Sequence, residues 1–375
     1  MSSVADLPAP PLHLVLSGEN ATRIWGMKNA TRVERLAQKA GVRTDAPAAA
    51  DAPILWVDVA YAFDPLWFSH VKATPGLVVT DAGRPVLAHR GHCDRATLDA
   101  AMVPDNAVIL RLEDRPTLYN HALRKHMQPF CAPLTLQSVR GMERESYYGA
   151  YKGVTDILTK YLWPEIAYHL TRGAAKIGMT PNMVSAIGVA LCIAATFLFA
   201  NGHYWTGMLA GFIFMVLDTV DGKLARCTIT SSAIGNVIDH GVDLIHPPFW
   251  WYAWAMGLSA WGLAYDPTTF WWVQGIIWGG YIVQRLMEGW FIQRFGIHMH
   301  VWRKVDSDFR LITARRNPNM ILLFFATLAG RPDIGLILVA GWTLISLIVH
   351  GVQIVQAEWA KSRGRAIESW LEQGA

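Results

Sequence analysis

Four aspartates, Asp218, Asp221, Asp239 and Asp243, stand at the ends of two strongly apolar stretches. The chain around them runs D-T-V-D-G-K-L-A-R, then eight residues, then G-N-V-I-D-H-G-V-D. On a helix, Asp218, Asp221, Gly222 and Ala225 fall at i, i+3, i+4 and i+7, which is one face. On a second helix, Gly235, Asp239 and Asp243 fall at i, i+4 and i+8, again one face. Antiparallel packing of these helices would bring four carboxylates into one small volume. A charged side chain at the centre of a membrane helix costs about 2.5–3.5 kcal/mol, so four are kept only where something offsets that cost. A hard divalent cation, Mg²⁺ or Mn²⁺, does so, because it prefers oxygen ligands and leaves coordination sites for phosphate oxygens. Converging carboxylates could hold two ions ~3.5–4 Å apart, a geometry suited to displacement at phosphorus. Gly222 and Gly235 carry no side chain, so a nucleotide could approach the backbone closely. Arg226 can fork onto a phosphate. Helix-end aspartates facing water are the competing reading; it suits one such residue better than four in register with two glycines and an arginine.

The pattern D-x2-D-G-x2-A-R-x8-G-x3-D-x3-D resembles the signature of the CDP-alcohol phosphotransferases, and every fixed position is filled. The resemblance extends over about residues 150–360. It implies a multi-pass membrane enzyme of phospholipid biosynthesis that moves a substituted phosphate from a CDP-linked donor to an acceptor hydroxyl and releases CMP. On this resemblance Asp218, Asp221 and Asp239 ligate the metal ions, and Asp243 is both a ligand and the general base. Gly222, Ala225, Arg226 and Gly235 lie against the CDP moiety, and the family suggests a homodimer.

Composition agrees with a membrane protein. Hydrophobic residues make up 52% of the 375, and the apolar excess is concentrated after about residue 180. A net charge of +4 is mild and does not call for a nucleic-acid partner. Trp250–Trp251 and Trp271–Trp272 are expected near membrane interfaces. Cys93, Cys131, Cys192 and Cys227 have no paired or metal-like spacing and read as free thiols. The first ten residues are polar and Pro-rich without a basic run, unlike a secretory signal.

The elements that must position the aspartates follow from the pattern. The expected fold is an N-terminal soluble α/β domain followed by an all-α membrane domain of six transmembrane helices with a juxtamembrane amphipathic helix. Residues 1–140 alternate short apolar strands (Leu12–Ser17, Pro53–Phe63, two strands over Gly76–Val86 and one over Ala107–Leu112) with helical periodicity over Arg32–Ala40 and Asp94–Met102. This half resembles the sugar-nucleotide nucleotidyltransferases through strand Leu12–Leu16, the loop from Ser17 to Arg23 and the helix that follows. The loop keeps one glycine and Arg23 but lacks the other glycines, so the favoured expectation is a scaffold that kept the fold and lost the chemistry. A bifunctional cytidylyltransferase/phosphotransferase making a phosphoinositol-type product is the alternative that the combination suggests.

Residues 141–180 form a linker and the amphipathic helix, with Thr155 and Asp156 near the expected cytidine position. Residues 181–360 hold six apolar segments, near 181–200, 204–224, 233–262, 269–292, 318–331 and 333–358, and 361–375 form a tail. Thr180 is the expected N-cap of the first, Pro181 suits its first turn, and Pro247–Pro248 should kink the third. Lys and Arg are concentrated before segment one, between two and three, between four and five, and after six. By the positive-inside rule both termini and the aspartates lie on the cytoplasmic side of the inner membrane.

The loop after segment four carries Arg310, Arg315 and Arg316, and segment four carries Arg285 three residues before Glu288. Arg285 and Glu288 could pair with each other, or all four arginines could receive an alcohol or phosphorylated-alcohol acceptor, as in relatives with a basic cavity near the metals. His240 and His246 read as structural, and His350 as hydrogen-bonded packing. A transporter would also keep carboxylates in membrane helices, but it would not need the Gly and Ala-Arg positions at this spacing; a scaffold with a dead site is a further rival, set lower because all four aspartates are present.

Overall fold

The computed structural model describes residues 11–45, 52–90, 107–114, 117–120, 125–151, 153–231 and 233–372. The chain divides into two compact units. The first is Met1–Tyr151 with two short later pieces, Ala175–Gly178 and Ala225–Thr230; the second holds the rest.

The first unit is an α/β layer. Strands β1 (His13–Ser17), β2 (Ile54–Asp58), β3 (Leu77–Asp81), β4 (Arg84–Arg90) and β5 (Val108–Arg111) form one sheet in the order β1-β2-β4-β3-β5. β1 is parallel to β2 and β3 to β5, whereas β4 is antiparallel to both β2 and β3. β2 is buried along its whole length, as a central strand made of Ile, Leu, Trp and Val should be. Helix α1 (Asn29–Lys39) buries Val33, Leu36 and Ala37, which join Leu14, Leu55, Val57, Phe63 and Phe68 in one core. Helix α2 (Pro65–Ala73) is capped by Asp64, whose carboxylate accepts from the Leu66 amide at 2.9 Å. Helix α3 (Val139–Gly149) closes the unit.

The strand expected over Pro53–Phe63 is in fact two, Ile54–Asp58 and Tyr61–Phe63. Asp58 Oδ1 accepts from the Ala60 amide at 2.8 Å, and this side-chain turn breaks the ladder. The second piece pairs instead with Cys131–Pro133. The helix expected over Asp94–Met102 lies outside the described residues.

The second unit is helical: α4 (Trp163–Lys176), α5 (Pro181–Ala200), α6 (Tyr204–Cys227), α7 (Ala233–Gly257), α8 (Pro267–Phe295), α9 (Lys304–Arg310), α10 (Arg316–Leu328) and α11 (Pro332–Ser362). A π-turn over Leu158–Leu162 leads into α4. Thr180 caps α5 through the Met183 amide at 3.2 Å, and Asp266 caps α8 through Thr268 and Thr269. α7 continues through Pro247 and Pro248. Among the described residues two helices, α5 and α11, are long and apolar enough to cross a membrane. Apolar side chains on both stay exposed, among them Ile193, Phe197, Leu338, Ile348 and Val355, the arrangement that lipid rather than water tolerates. α10 has 13 residues, about 20 Å at the helical rise, short of the ~30 Å hydrocarbon thickness.

Trp250 and Trp251 are core residues, not interface residues. They are fully buried, and Trp250 Nε1 donates to the Cys192 carbonyl at 3.1 Å. Trp254 does likewise to the Pro332 carbonyl and stacks on Tyr204 at 4.1 Å. Trp271 and Trp272 are exposed, as expected of interfacial residues.

α8 and α11 meet so closely at Gly280 that a Cβ there would lie 2.5 Å from Thr343 Cγ2, whereas one on Gly279 would meet nothing. Gly280→Ala should therefore cost about 1–3 kcal/mol through overpacking, read as a lower melting temperature in lipid, while Gly279→Ala leaves that temperature unchanged or slightly higher.

Candidate functional site

Three consecutive residues at the start of α10 organise the polar interior of the second unit. Arg316 joins two of the motif carboxylates: its Nη2 donates to Asp218 Oδ2 at 2.7 Å and its Nη1 to Asp243 Oδ1 at 2.9 Å. Arg315 donates twice to Glu288, at 2.7 and 2.6 Å. Asn317 Nδ2 donates to Asp156 Oδ1 at 2.9 Å. Asp218 lies on α6 and Asp243 on α7, so helices that periodicity makes amphipathic are tied together by a residue 73 positions beyond the second of them.

Asp221, one turn beyond Asp218, accepts a hydrogen bond from Ser185 of α5 at 2.5 Å and another from the Gly222 amide. Asp218, Asp221, Ser185, Phe214 and Val242 line a small cavity of about 20 Å³, enough for one water-sized occupant. Asp243 is the most open of the described motif aspartates, with 47% of its side chain accessible. Asp239 and Gly235 lie on α7 in the expected register; the Asp239 side chain lies outside the described residues. A hard cation fits this donor set: oxygen ligands from two helices, a water-sized space between Asp218 and Asp221, and a guanidinium that balances Asp218 and Asp243.

The other expected residues are distributed unevenly. Ala225 and Arg226 belong to the first unit, and Gly222 to the second. Arg226 is five residues past Asp221, about 140° round the helix at 3.6 residues per turn, so the two side chains leave α6 in different directions. Asp156 is buried and holds the start of the following turn through the Leu158 and Thr159 amides. Burial would raise its pKa, but hydrogen bonds from Asn317 and Thr159 and the charge of Arg310 outweigh that and hold it below the usual carboxylate range. Thr155 precedes it, and the Ile157 amide donates to the Leu311 carbonyl at 2.9 Å.

Arg285 pairs with Glu288 at 2.6 Å, as the i, i+3 spacing expects. The pair is part of a larger cluster, because Glu288 also receives Arg315 and His300 Nε2. Glu288, His300 and His350 each offer one ligand atom, all within 4.8 Å of one another. A metal ion is disfavoured there by charge: Arg285 and Arg315 both pair with Glu288, and Arg310 adds a third positive charge shared between Glu288 and Asp156. Burial pushes His300 down to about 3, so it adds no charge near neutrality, and pushes Arg310 down to about 9. Arg310 Nη1 and both ring nitrogens of His350 have no hydrogen-bond partner among the described residues. His350 is therefore not the hydrogen-bonded packing residue expected; it lies 5.3 Å from the His300 ring. His246 is structural, its Nδ1 2.6 Å from the Val242 carbonyl. Ser185, Asn317 and His300 were not legible as site residues, since no local spacing links them to the aspartates. Gln274 and Gln284, polar positions of α8, donate to the carbonyls of Trp251 and Thr343.

Residues 178–349 match the family model described as CDP-alcohol phosphatidyltransferase. This segment belongs to the CDP-alcohol phosphatidyltransferase family. The chain is similar to cholinephosphotransferase 1 of Homo sapiens, 27% identical over 128 residues, covering 31% of this chain and 30% of the relative. It is also similar to phosphatidylinositol phosphate synthase of Mycobacterium marinum, 30% identical over 106 residues, covering 26% of this chain and 45% of the relative. The chain thus spans less than half the length of these curated relatives. Among solved structures, phosphatidylinositol phosphate synthase of Mycobacterium tuberculosis with CDP-DAG bound aligns with a TM-score of 0.40 at 16% identity, covering 51% of this chain and 94% of that one. The matched family segment contains the four motif aspartates, Arg315, Arg316 and the Glu288 cluster up to residue 349; His350 is the next residue.

Glu288→Gln removes the one carboxylate that Arg285, Arg315 and His300 share among the described residues. Buried charges left unpaired in this way cost about 3–5 kcal/mol, so the variant should melt well below the parent in lipid. Glu288→Asp, which keeps the charge, should recover part of the loss.

Proposed function

We propose that this chain is an integral membrane CDP-alcohol phosphotransferase. Its reaction joins an acceptor hydroxyl oxygen to the β-phosphorus of a CDP-linked donor, breaks the bond from that phosphorus to CMP, and passes the hydroxyl proton to a carboxylate. The observation that carries the reading is the meeting of Asp218 and Asp243, from two helices, on the one guanidinium of Arg316, within a segment that belongs to this family.

Asp218, Asp221, Asp239 and Asp243 would hold Mg²⁺ or Mn²⁺, two ions in our reading. Bound there, the ions would neutralise the diphosphate and stabilise departing CMP. Asp243, the accessible carboxylate, takes the acceptor proton at a side-chain oxygen. Gly222, Ala225, Arg226 and Gly235 would lie against the CDP moiety, with Thr155 and Asp156 close to the cytidine. Arg316 supplies positive charge beside the reacting phosphate. Arg285, Arg310 and Arg315 gather around Glu288, with Asp156 also facing Arg310, and their unsatisfied donors suit an acceptor that carries a phosphate. Two long apolar helices support placement in a bilayer; in our reading the helical unit holds six apolar segments with α10 too short to span alone, the Lys/Arg distribution puts both termini and the aspartates on the cytoplasmic face, and the family resemblance suggests a homodimer.

In this reading the first unit is a scaffold with a nucleotidyltransferase-like layout and no nucleotidyl chemistry. Arg23 donates to the Gly26 carbonyl at 3.0 Å, and Asp58 is paired with Arg84 at 2.7 Å, so both groups are engaged within the protein. CTP turnover by the full chain would overturn this part and favour the bifunctional alternative.

The deciding experiment is Mg²⁺-dependent CMP release by the purified protein in lipid. CDP-diacylglycerol and CDP-inositol are offered separately, with CDP-choline added because of the name of the cholinephosphotransferase relatives. Release from one donor only fixes the class and the donor; no release from any, with Mn²⁺ or Mg²⁺ bound, counts against the enzyme. Asp243→Asn should keep donor binding and lose turnover by about 10²-fold or more, and retained turnover would remove Asp243 as the base. Arg316→Gln should lower the melting temperature in chelator by the equivalent of about 1–3 kcal/mol, and added Mn²⁺ should narrow that gap because the cation replaces the lost guanidinium charge.

A further inference from the structure

The segment after α11 returns to the helical unit and packs against it. Gly364 has φ +74°, a left-handed conformation open to glycine, and the amides of Gly364 and Arg365 donate to the carbonyls of Lys361 and Ala360 at 2.9 and 3.1 Å. This turn ends the helix and redirects the chain. Ile367 then packs against Phe291, Met299 and Ala357, and Ser369 is buried. All these tail residues lie beyond the family segment 178–349.

Trp370 makes the contacts that reach the Glu288 cluster. Its Nε1 donates to Ser307 Oγ at 2.9 Å, and Ser307 Oγ donates to the His300 carbonyl at 2.7 Å. A hydroxyl has one proton to give, so this chain runs from indole to hydroxyl to carbonyl. The Trp370 amide donates to the next carbonyl, that of Val301, at 3.1 Å. Two successive peptide units are therefore held, one directly and one through Ser307. The imidazole of the first, His300, sits with Nε2 3.2 Å from Glu288 Oε1, the carboxylate that Arg285 and Arg315 share. Ser307 also belongs to α9, three residues before Arg310. A helix of seven residues is too short to be stable alone. Arg303 forks onto Asp306 at 2.9 and 2.8 Å, Gln353 donates to Asp306 at 2.9 Å, and Trp370 adds its bond to Ser307.

We propose that Trp370 is a positioning residue for acceptor binding. By holding the main chain at His300 and Val301 and the middle of α9, it keeps His300 on Glu288 and Arg310 beside them. The proposal rests on the reading that this cluster receives an acceptor phosphate. A cluster ordered in advance spends less of its binding energy on ordering itself, so affinity for a phosphorylated alcohol depends on a side chain outside the cluster. The aspartate motif is held separately by Arg316 and does not share this dependence.

The test is equilibrium binding to the full chain in lipid nanodiscs, with sn-glycerol 3-phosphate and inositol 1-phosphate as phosphorylated alcohols and CMP in Mn²⁺ as the second ligand. Trp370→Phe keeps a ring and removes the N–H. It should weaken the phosphate ester that the parent binds by about threefold to tenfold and leave CMP unchanged. Ser307→Ala removes the next link and should act alike, and the double variant should be no weaker than the worse single one, since both act through one chain. Glu368→Gln, an exposed position of the same segment, should change neither ligand. Unchanged ester affinity in Trp370→Phe overturns the role of Trp370 alone, as do additive losses in the double variant. Equal losses of ester and CMP also overturn it, because they mark general loosening of the fold. Ester binding that survives Arg310→Ala lies elsewhere and overturns the proposal too. A parent that binds CMP and neither ester removes the acceptor reading of the cluster, and the proposal with it.

Discussion

Carboxylates placed in an apolar helical unit must be answered by positive charge, and in this protein Arg316 answers two of them at once. Asp218 and Asp243 come from different helices, and each would be costly alone. One planar guanidinium bonded to both fixes the separation of α6 and α7 at the level of the motif. A lysine could not do this, since its ammonium is a point charge without two diverging N–H pairs.

The neighbours of Arg316 extend the constraint. Arg315 and Asn317 leave the start of α10 toward Glu288 and Asp156, so one short stretch of backbone positions three acidic centres. α10 is only 13 residues long, and its apolar residues Met320 and Leu323 are buried. Its place among the helices is therefore set by packing at one end and by charge at the other. The proposed chemistry uses the same arrangement: the carboxylates that need a cation are held together before any ligand arrives, which reduces the reorganisation left for binding.

The cluster around Glu288 brings Arg285, Arg315 and His300 onto one carboxylate, and Arg310 Nη1 stays without a hydrogen-bond partner among the described residues. Buried donors held this way are costly in the empty protein and favourable with an anion present.

The sequence alone determined the motif, the helices that carry it and most of the strands, because these depend on spacing along the chain: 3.6-residue periodicity for α5 and α6, a Thr-Pro start for α5, an Asp-Ala-Gly turn between β3 and β4. Asp218 and Asp221 on one face, and Asp239 and Asp243 on another, were readable for the same reason. Where a side chain forms its own turn the reading failed, as at Asp58, whose hydrogen bond to Ala60 splits an expected strand. Trp250 and Trp251 were misread because composition shows that an indole is amphipathic but not whether a carbonyl waits for it inside the bundle. Only the tertiary structure decided which charge meets which. Arg316 with Asp218 and Asp243, and Asn317 with Asp156, are pairings over long stretches of sequence. Their partners are chosen by electrostatics in a low-dielectric interior after the helices have packed, and no local pattern encodes that choice.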